Sequence, residues 1–205
     1  MRRRALLQAG ALSAALASAG CLASVQQSVN GRVYFDYGHS DIHRADEPYV
    51  RGGLDDESDA WTAGRLFTEP PTDPVFTDRV DADEEGGFVD DVRDVDYDRR
   101  FVLLFEARMT ADDPYRVGPG PVLGAEPRWT GWRELTLPLE YQPEDSLGSD
   151  LADAKQLVCT LVVHFVTHPE EEPLRTKPES ATVELYDDEG SRRGGTVTVT
   201  AGESS

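Results

Sequence analysis

Two apolar runs, residues 101–107 and 156–167, constrain the fold of this chain more than any other feature. The first reads Phe-Val-Leu-Leu-Phe-Glu-Ala, a short run of aromatic and aliphatic residues of the kind that forms a central strand buried on both faces. The second is dominated by Val, Leu, Thr and Phe, which favours strand over helix, although residues 152–155 have the composition of an opening helical turn. Residues 132–141 alternate instead, with Leu135, Leu137 and Leu139 on one side and Glu134, Thr136 and Pro138 on the other. That pattern predicts a half-exposed strand, placed near a sheet edge because Pro138 cannot donate to a ladder. Residues 181–186 and 196–200 alternate about the turn-rich stretch 187–195, which predicts a C-terminal hairpin, and residues 32–37 supply a first strand. No sustained helical periodicity follows residue 20. The expected fold class is therefore all-β: an antiparallel β-sandwich, with an immunoglobulin-like arrangement as one candidate, joined by long Gly/Pro-rich loops such as 70–74 and 112–127.

The N-terminus obeys different rules. Three arginines at positions 2–4 precede an uncharged stretch, residues 5–20, that closes on Ser18-Ala19-Gly20-Cys21. A bilayer core needs about 20 predominantly apolar residues in a helix, and this stretch is shorter and rich in Ala, Gly and Ser. It reads as an export signal rather than a span. The pair Arg3-Arg4 resembles the twin-arginine export signal, and small residues directly before a cysteine resemble a lipobox, where a lipoprotein is lipidated and cut. The division that follows is a signal peptide over 1–20, a lipidated N-terminus and tether over 21–30, and one β-sandwich domain over 31–202. The resemblance implies lipid on Cys21, the membrane as a partner, and a location on the outer face of the cytoplasmic membrane.

The chain carries a formal charge of −19, and residues 1–20 hold three arginines and no acid, which leaves −22 for the remainder. Self-repulsion of that size is screened over roughly 10 Å at 0.1 M salt but about 3 Å at 1 M. The only lysines are Lys155 and Lys177, the other basic residues all being arginine. Acid-rich, lysine-poor compositions of this kind resemble those of haloarchaeal proteins, as does a twin-arginine signal ahead of a lipobox. The resemblance covers the leader and the bulk composition, and no functional motif. Because the acids are spread along the whole chain, they read as adaptation to salt rather than as one cation-binding surface. Nucleic acid is disfavoured as a partner, since the doublets Arg99-Arg100 and Arg192-Arg193 are set among acids and make no basic stripe.

Few residues suggest chemistry. With Cys21 consumed by lipid, Cys159 has no disulfide partner, and its apolar surroundings predict a buried, inert thiol. Asp81, Asp83 and Glu85 precede Gly86 in the manner of a calcium loop, but Val92 stands where such a loop needs a bidentate Glu. His39 and His43, with Asp41 between them, read as a loop able to offer copper or zinc ligands. His164 and His168 share the spacing but lie inside a strand-like run, where residues four apart stand about 13 Å from one another and do not chelate jointly. Tyr115, Trp129 and Trp132, in or beside the long Gly/Pro loop, are candidates for ligand contact, against the alternative of closing one end of the core. The sequence holds no Gly-x-Ser-x-Gly elbow, no His-Glu-x-x-His pair and no phosphate-cradling glycine loop. The leading expectation is a non-enzymatic surface lipoprotein with no cofactor, serving as a binding or structural module. The alternatives are a metal-binding or redox protein using calcium, copper or zinc, and an extracytoplasmic hydrolase with an unrecognised carboxylate pair.

Overall fold

The computed structural model describes residues 27–80, 87–119, 125–167 and 176–202. Nine strands follow one another: β1 (Val33–Arg44), β2 (Thr62–Phe67), β3 (Arg100–Met109), β4 (Tyr115–Gly118), β5 (Arg128–Trp129), β6 (Glu134–Pro143), β7 (Leu157–Thr167), β8 (Ser180–Tyr186) and β9 (Arg192–Thr200). A helix of four residues, Asp90–Arg93, lies between β2 and β3. The strands form two sheets, ordered β1-β7-β3-β2 and β4-β6-β8-β9, with β5 also paired to β6. The fold is thus all-β and sandwich-like, as the alternation of apolar residues requires. Every strand pair is antiparallel except β6 with β8, which run parallel from Glu134↔Ser180 to Glu140↔Tyr186.

The two long apolar runs occupy the centre of the first sheet. β3 and β7 are buried on both faces almost throughout, so neither alternating set of side chains reaches water. One set, including Leu103, Phe105, Leu161 and Phe165, shares a core with Leu137 and Leu139 of the second sheet. Each such side chain contributes about 1.5–3 kcal/mol by leaving water. The other set, including Val102, Leu104 and Val162, is covered by Val50, Phe76 and Val92 from the β1–β2 and β2–β3 connections. These connections act as a third layer over the outer face of the first sheet. That layer is what makes a second interior.

The sequence places a strand over residues 132–141 near an edge, whereas β6 lies inside its sheet with β8 along one side. Pro138 is accommodated there because the other side is shared unevenly. β4 pairs with residues 140–143 and β5 with 135–136, and Pro138 falls in the gap between them. The C-terminal hairpin forms as expected, its turn closed by Asp187 Oδ1, which accepts from Ser191 N at 2.7 Å and from Glu189 N at 3.2 Å, with Gly190 at φ 76°.

Register also defines two ends. Val33 pairs with Thr167, and Val166 with Arg100, at the end where the chain enters; Arg44 and Met109 both pair with Leu157 at the other. Among the described residues no helix is long and apolar enough to cross a membrane.

Candidate functional site

Polar residues are expected to stay out of an interior unless paired, because a buried polar group without a partner costs on the order of 1–3 kcal/mol. The outer face of the first sheet breaks this pattern. Under the loop layer, β1, β3 and β7 contribute a row of buried or half-buried polar side chains: His39, Asp41, His43, Glu106, Thr160 and His164.

At the centre of this row, His43 Nδ1 stands 3.0 Å from the Arg44 carbonyl and Nε2 stands 2.9 Å from Thr160 Oγ1. The Thr160 hydroxyl is also 3.4 Å from Glu106 Oε1, and Glu106 Oε2 accepts from Leu54 N at 3.0 Å. A carbonyl only accepts, so Nδ1 of His43 carries a proton. Two arrangements then satisfy the row. In one, a neutral Glu106 donates to Thr160, which donates to a neutral His43. In the other, a charged His43 donates to Thr160, which donates to a charged Glu106. The two differ by the passage of one proton through the Thr160 hydroxyl. Burial decides between them, because it disfavours charge at both ends: it raises the Glu106 carboxyl to about 7 and lowers the His43 imidazole below its ordinary value. The neutral arrangement is therefore favoured below about pH 7.

Glu106 is 2% exposed and lies at the floor of a cleft formed by residues 50–53, β2 and β9. Its carboxylate is sealed by glycine. A Cβ on Gly53 would collide with Oε2, and Gly52 adopts φ 65°, a conformation that side chains disfavour. With both oxygens engaged and the carboxyl shielded, this acid is built to order the loop over the sheet.

His39 and His43 lie on β1, not in a loop, because β7 pairs with every residue from Tyr37 to Arg44. Their rings serve different partners. His43 stacks on Tyr49 with centroids 3.9 Å apart, and the Tyr49 hydroxyl donates to Asp41 Oδ2 at 3.0 Å. His39 stacks on Phe88 at 4.3 Å and places Nδ1 3.4 Å from Asp91 Oδ2. Asp91 also accepts from His164, whose Nε2 lies 2.6 Å from its carbonyl oxygen. The expectation that His39, Asp41 and His43 lie in a loop is therefore corrected: all three stand on β1, where the two rings take different neighbours, and His39 Nδ1 and Asp91 Oδ2 are buried without a hydrogen bond. Among the described residues no group of three or more His, Cys, Asp or Glu is arranged to hold a metal ion. Asp81, Asp83 and Glu85, like His168, Cys21, Arg3 and Arg4, lie outside the described residues.

The aromatic candidates separate. Trp129 is 4% exposed, belongs to the core between the sheets, and donates from Nε1 to the Gly31 carbonyl at 3.0 Å. Tyr115 packs on Tyr141 with centroids 4.1 Å apart and donates its hydroxyl to the Arg108 carbonyl at 2.8 Å. Trp129 is buried in the core, and Tyr115 packs half-buried against it. Trp132 is 59% exposed. Trp61, which sequence reasoning passed over, is 66% exposed at the opposite end, where its carbonyl accepts from Arg108 N. Cys159 is buried and free, accepts from Val117 N at 3.3 Å, and has its thiol pushed up to about 11 by burial, which keeps it protonated near neutrality.

Sequence reasoning also missed Glu106 and Thr160 as members of a site. A signal was present: each is a polar residue inside a run that must be buried on both faces, and such a residue requires a partner. No protein-family model matches this chain, and no curated protein or solved structure matches it either.

Proposed function

We propose that this chain is a surface lipoprotein, held at the outer face of the cytoplasmic membrane by lipid on Cys21, whose β-sandwich acts as a non-enzymatic binding or structural module outside the cell. The observation that carries the reading is the leader itself: Arg3-Arg4, then an uncharged stretch, then Ser18-Ala19-Gly20-Cys21. The architecture supports it in two ways. The chain enters the sandwich at one end, so a lipid on Cys21 leaves the rest of the domain projecting outward. Inside the domain, the Glu106, Thr160 and His43 chain is closed from one sheet strand to the next, which suits a rigid module better than a turnover site.

Fractionation of cells expressing Cys21→Ser tests this reading. The wild-type protein is expected in the membrane fraction and the variant in the soluble fraction. A variant that stays with the membrane would mean that an uncut leader is the anchor. Stoichiometric copper, zinc or calcium in protein purified without chelator would overturn the metal-free module.

A further inference from the structure

The point where the tether enters the sandwich and the loop bearing Trp132 are one structural unit. Asn30, 1% exposed, donates from Nδ2 to the Trp132 carbonyl at 3.1 Å and accepts from Thr176 Oγ1 at 2.8 Å. Trp129 grips the next residue through the Gly31 carbonyl. Two large apolar side chains nevertheless face outward beside this clamp: Trp132 on the loop and Val29, 41% exposed, on the last turn of the tether.

Distance says what lies opposite them. Cys21 precedes Gln27 by six residues, a reach of at most about 22 Å for fully extended chain. β7, with eleven residues, spans about 36 Å. A lipid on Cys21 therefore keeps Gln27, three residues before the clamp, within about 22 Å of the headgroups, while the Trp61 end stands a full strand length farther out when the sandwich is upright. Charge favours the same orientation. Around Trp132, Arg32 pairs with Glu126 at 2.9 Å, Arg133 pairs with Glu179, and Lys177 Nζ donates to the Thr68 carbonyl at 2.8 Å. At the opposite end the β3–β4 turn carries Asp112 and Asp113, the β8–β9 turn carries Asp187, Asp188 and Glu189, and neither turn holds a basic residue. The clamped end has acids of its own, Asp94, Asp96 and Asp98 ahead of β3, but they are followed by Arg99 and Arg100, whereas the two turns named at the opposite end are wholly acidic. Tryptophan is also a side chain that settles at the headgroup level, with an apolar ring and a polar N–H.

We infer that Trp132 and Val29 form a membrane-contact surface that seats the clamped end of the sandwich on lipid headgroups, an inference that rests on lipid anchoring at Cys21. The test uses the full protein, extracted from its own membranes and reconstituted at molar salt into phosphatidylglycerol vesicles with brominated acyl chains. Bromolipid is expected to quench part of the tryptophan emission of the wild type and of Trp61→Phe, and the quenched component is expected to be lost in Trp132→Phe. Val29→Glu is expected to reduce it. Far-UV circular dichroism of each variant checks that it is folded. Equal quenching in the wild type and Trp132→Phe would overturn the inference. So would shielding of Trp132 from acrylamide in Cys21→Ser protein without vesicles, which would assign the surface to a protein contact. Failure of the anchoring itself is distinguishable: such a protein would not float with the vesicles and its mass would show no lipid on Cys21.

Discussion

The two faces of the first sheet solve burial in opposite ways. The inner face meets the second sheet through side chains with nothing to satisfy, such as Phe101 and Phe165, whose rings stack with centroids 5.1 Å apart. The outer face is covered by loops, and loops bring backbone groups and polar side chains with them. Leu54 N needs an acceptor and finds Glu106; Tyr49 needs one for its hydroxyl and finds Asp41. A sheet can be sealed by another sheet with apolar contacts alone, whereas sealing it with irregular chain requires a polar row beneath. The inner face supplies stability that is indifferent to pH, and the outer face supplies stability that depends on where one proton sits.

This contrast is open to test by substitution, beginning with its strongest limb. Phe165→Ala should cost about 3–5 kcal/mol in denaturant unfolding, with little variation between pH 5 and 8, because it leaves an apolar cavity. A pH-dependent loss there would break the distinction. Glu106→Gln should behave in the opposite manner. A carboxyl whose folded value lies near 7, against an ordinary 4.5, holds its proton more tightly in the folded state. Its stabilising effect is complete below about 4.5 and is lost as pH rises through about 7. Gln supplies the same donor and acceptor without a charge to desolvate. The variant should match the wild type near pH 4.5 and exceed it by up to about 3 kcal/mol at pH 8. A difference that does not change with pH would refute the neutral arrangement.

Thr160→Val removes the shared hydroxyl and leaves His43 Nε2 without its partner, for an expected loss of about 1–3 kcal/mol by thermal or denaturant unfolding. No loss would mean that the row is not connected through Thr160. The smallest effect is expected of Tyr49→Phe, which keeps the stack on His43 and loses only the bond to Asp41, at about 1 kcal/mol. A double substitution with Thr160→Val shows whether the two ends of the row act together.

How far the sequence foretold this arrangement depends on which side of the first sheet is considered. β3 and β7 were legible because strands buried on both faces read as unbroken apolar runs. β2 was not: its sequence, Thr-Ala-Gly-Arg-Leu-Phe, holds a glycine and an arginine in the middle and becomes a strand through its pairing with β3. The stretch containing His39 and His43 lacks apolar alternation for the same reason. Its outward set is polar because it faces other polar groups, so periodicity reported a loop where pairing with β7 imposes a strand. Pro138 correctly signalled an interrupted ladder, but the interruption is a gap between β4 and β5 rather than an edge. The parallel pairing of β6 with β8 joins segments 46 residues apart at Glu134↔Ser180, and no local pattern encodes it. The polar row was half legible: Glu106 and Thr160 stood in runs destined for burial, but their meeting with His43 depends on the register of three strands.

The two ends of the molecule extend the contrast, with Asn30 clamped beside Trp132 at one and the acidic turns at the other. The measurement that tests the central claim most directly is the intact mass of the native protein extracted from its own membranes. The account predicts a chain that begins at Cys21 and carries lipid. A mass that retains residues 1–20, or that begins at Cys21 without lipid, would contradict it.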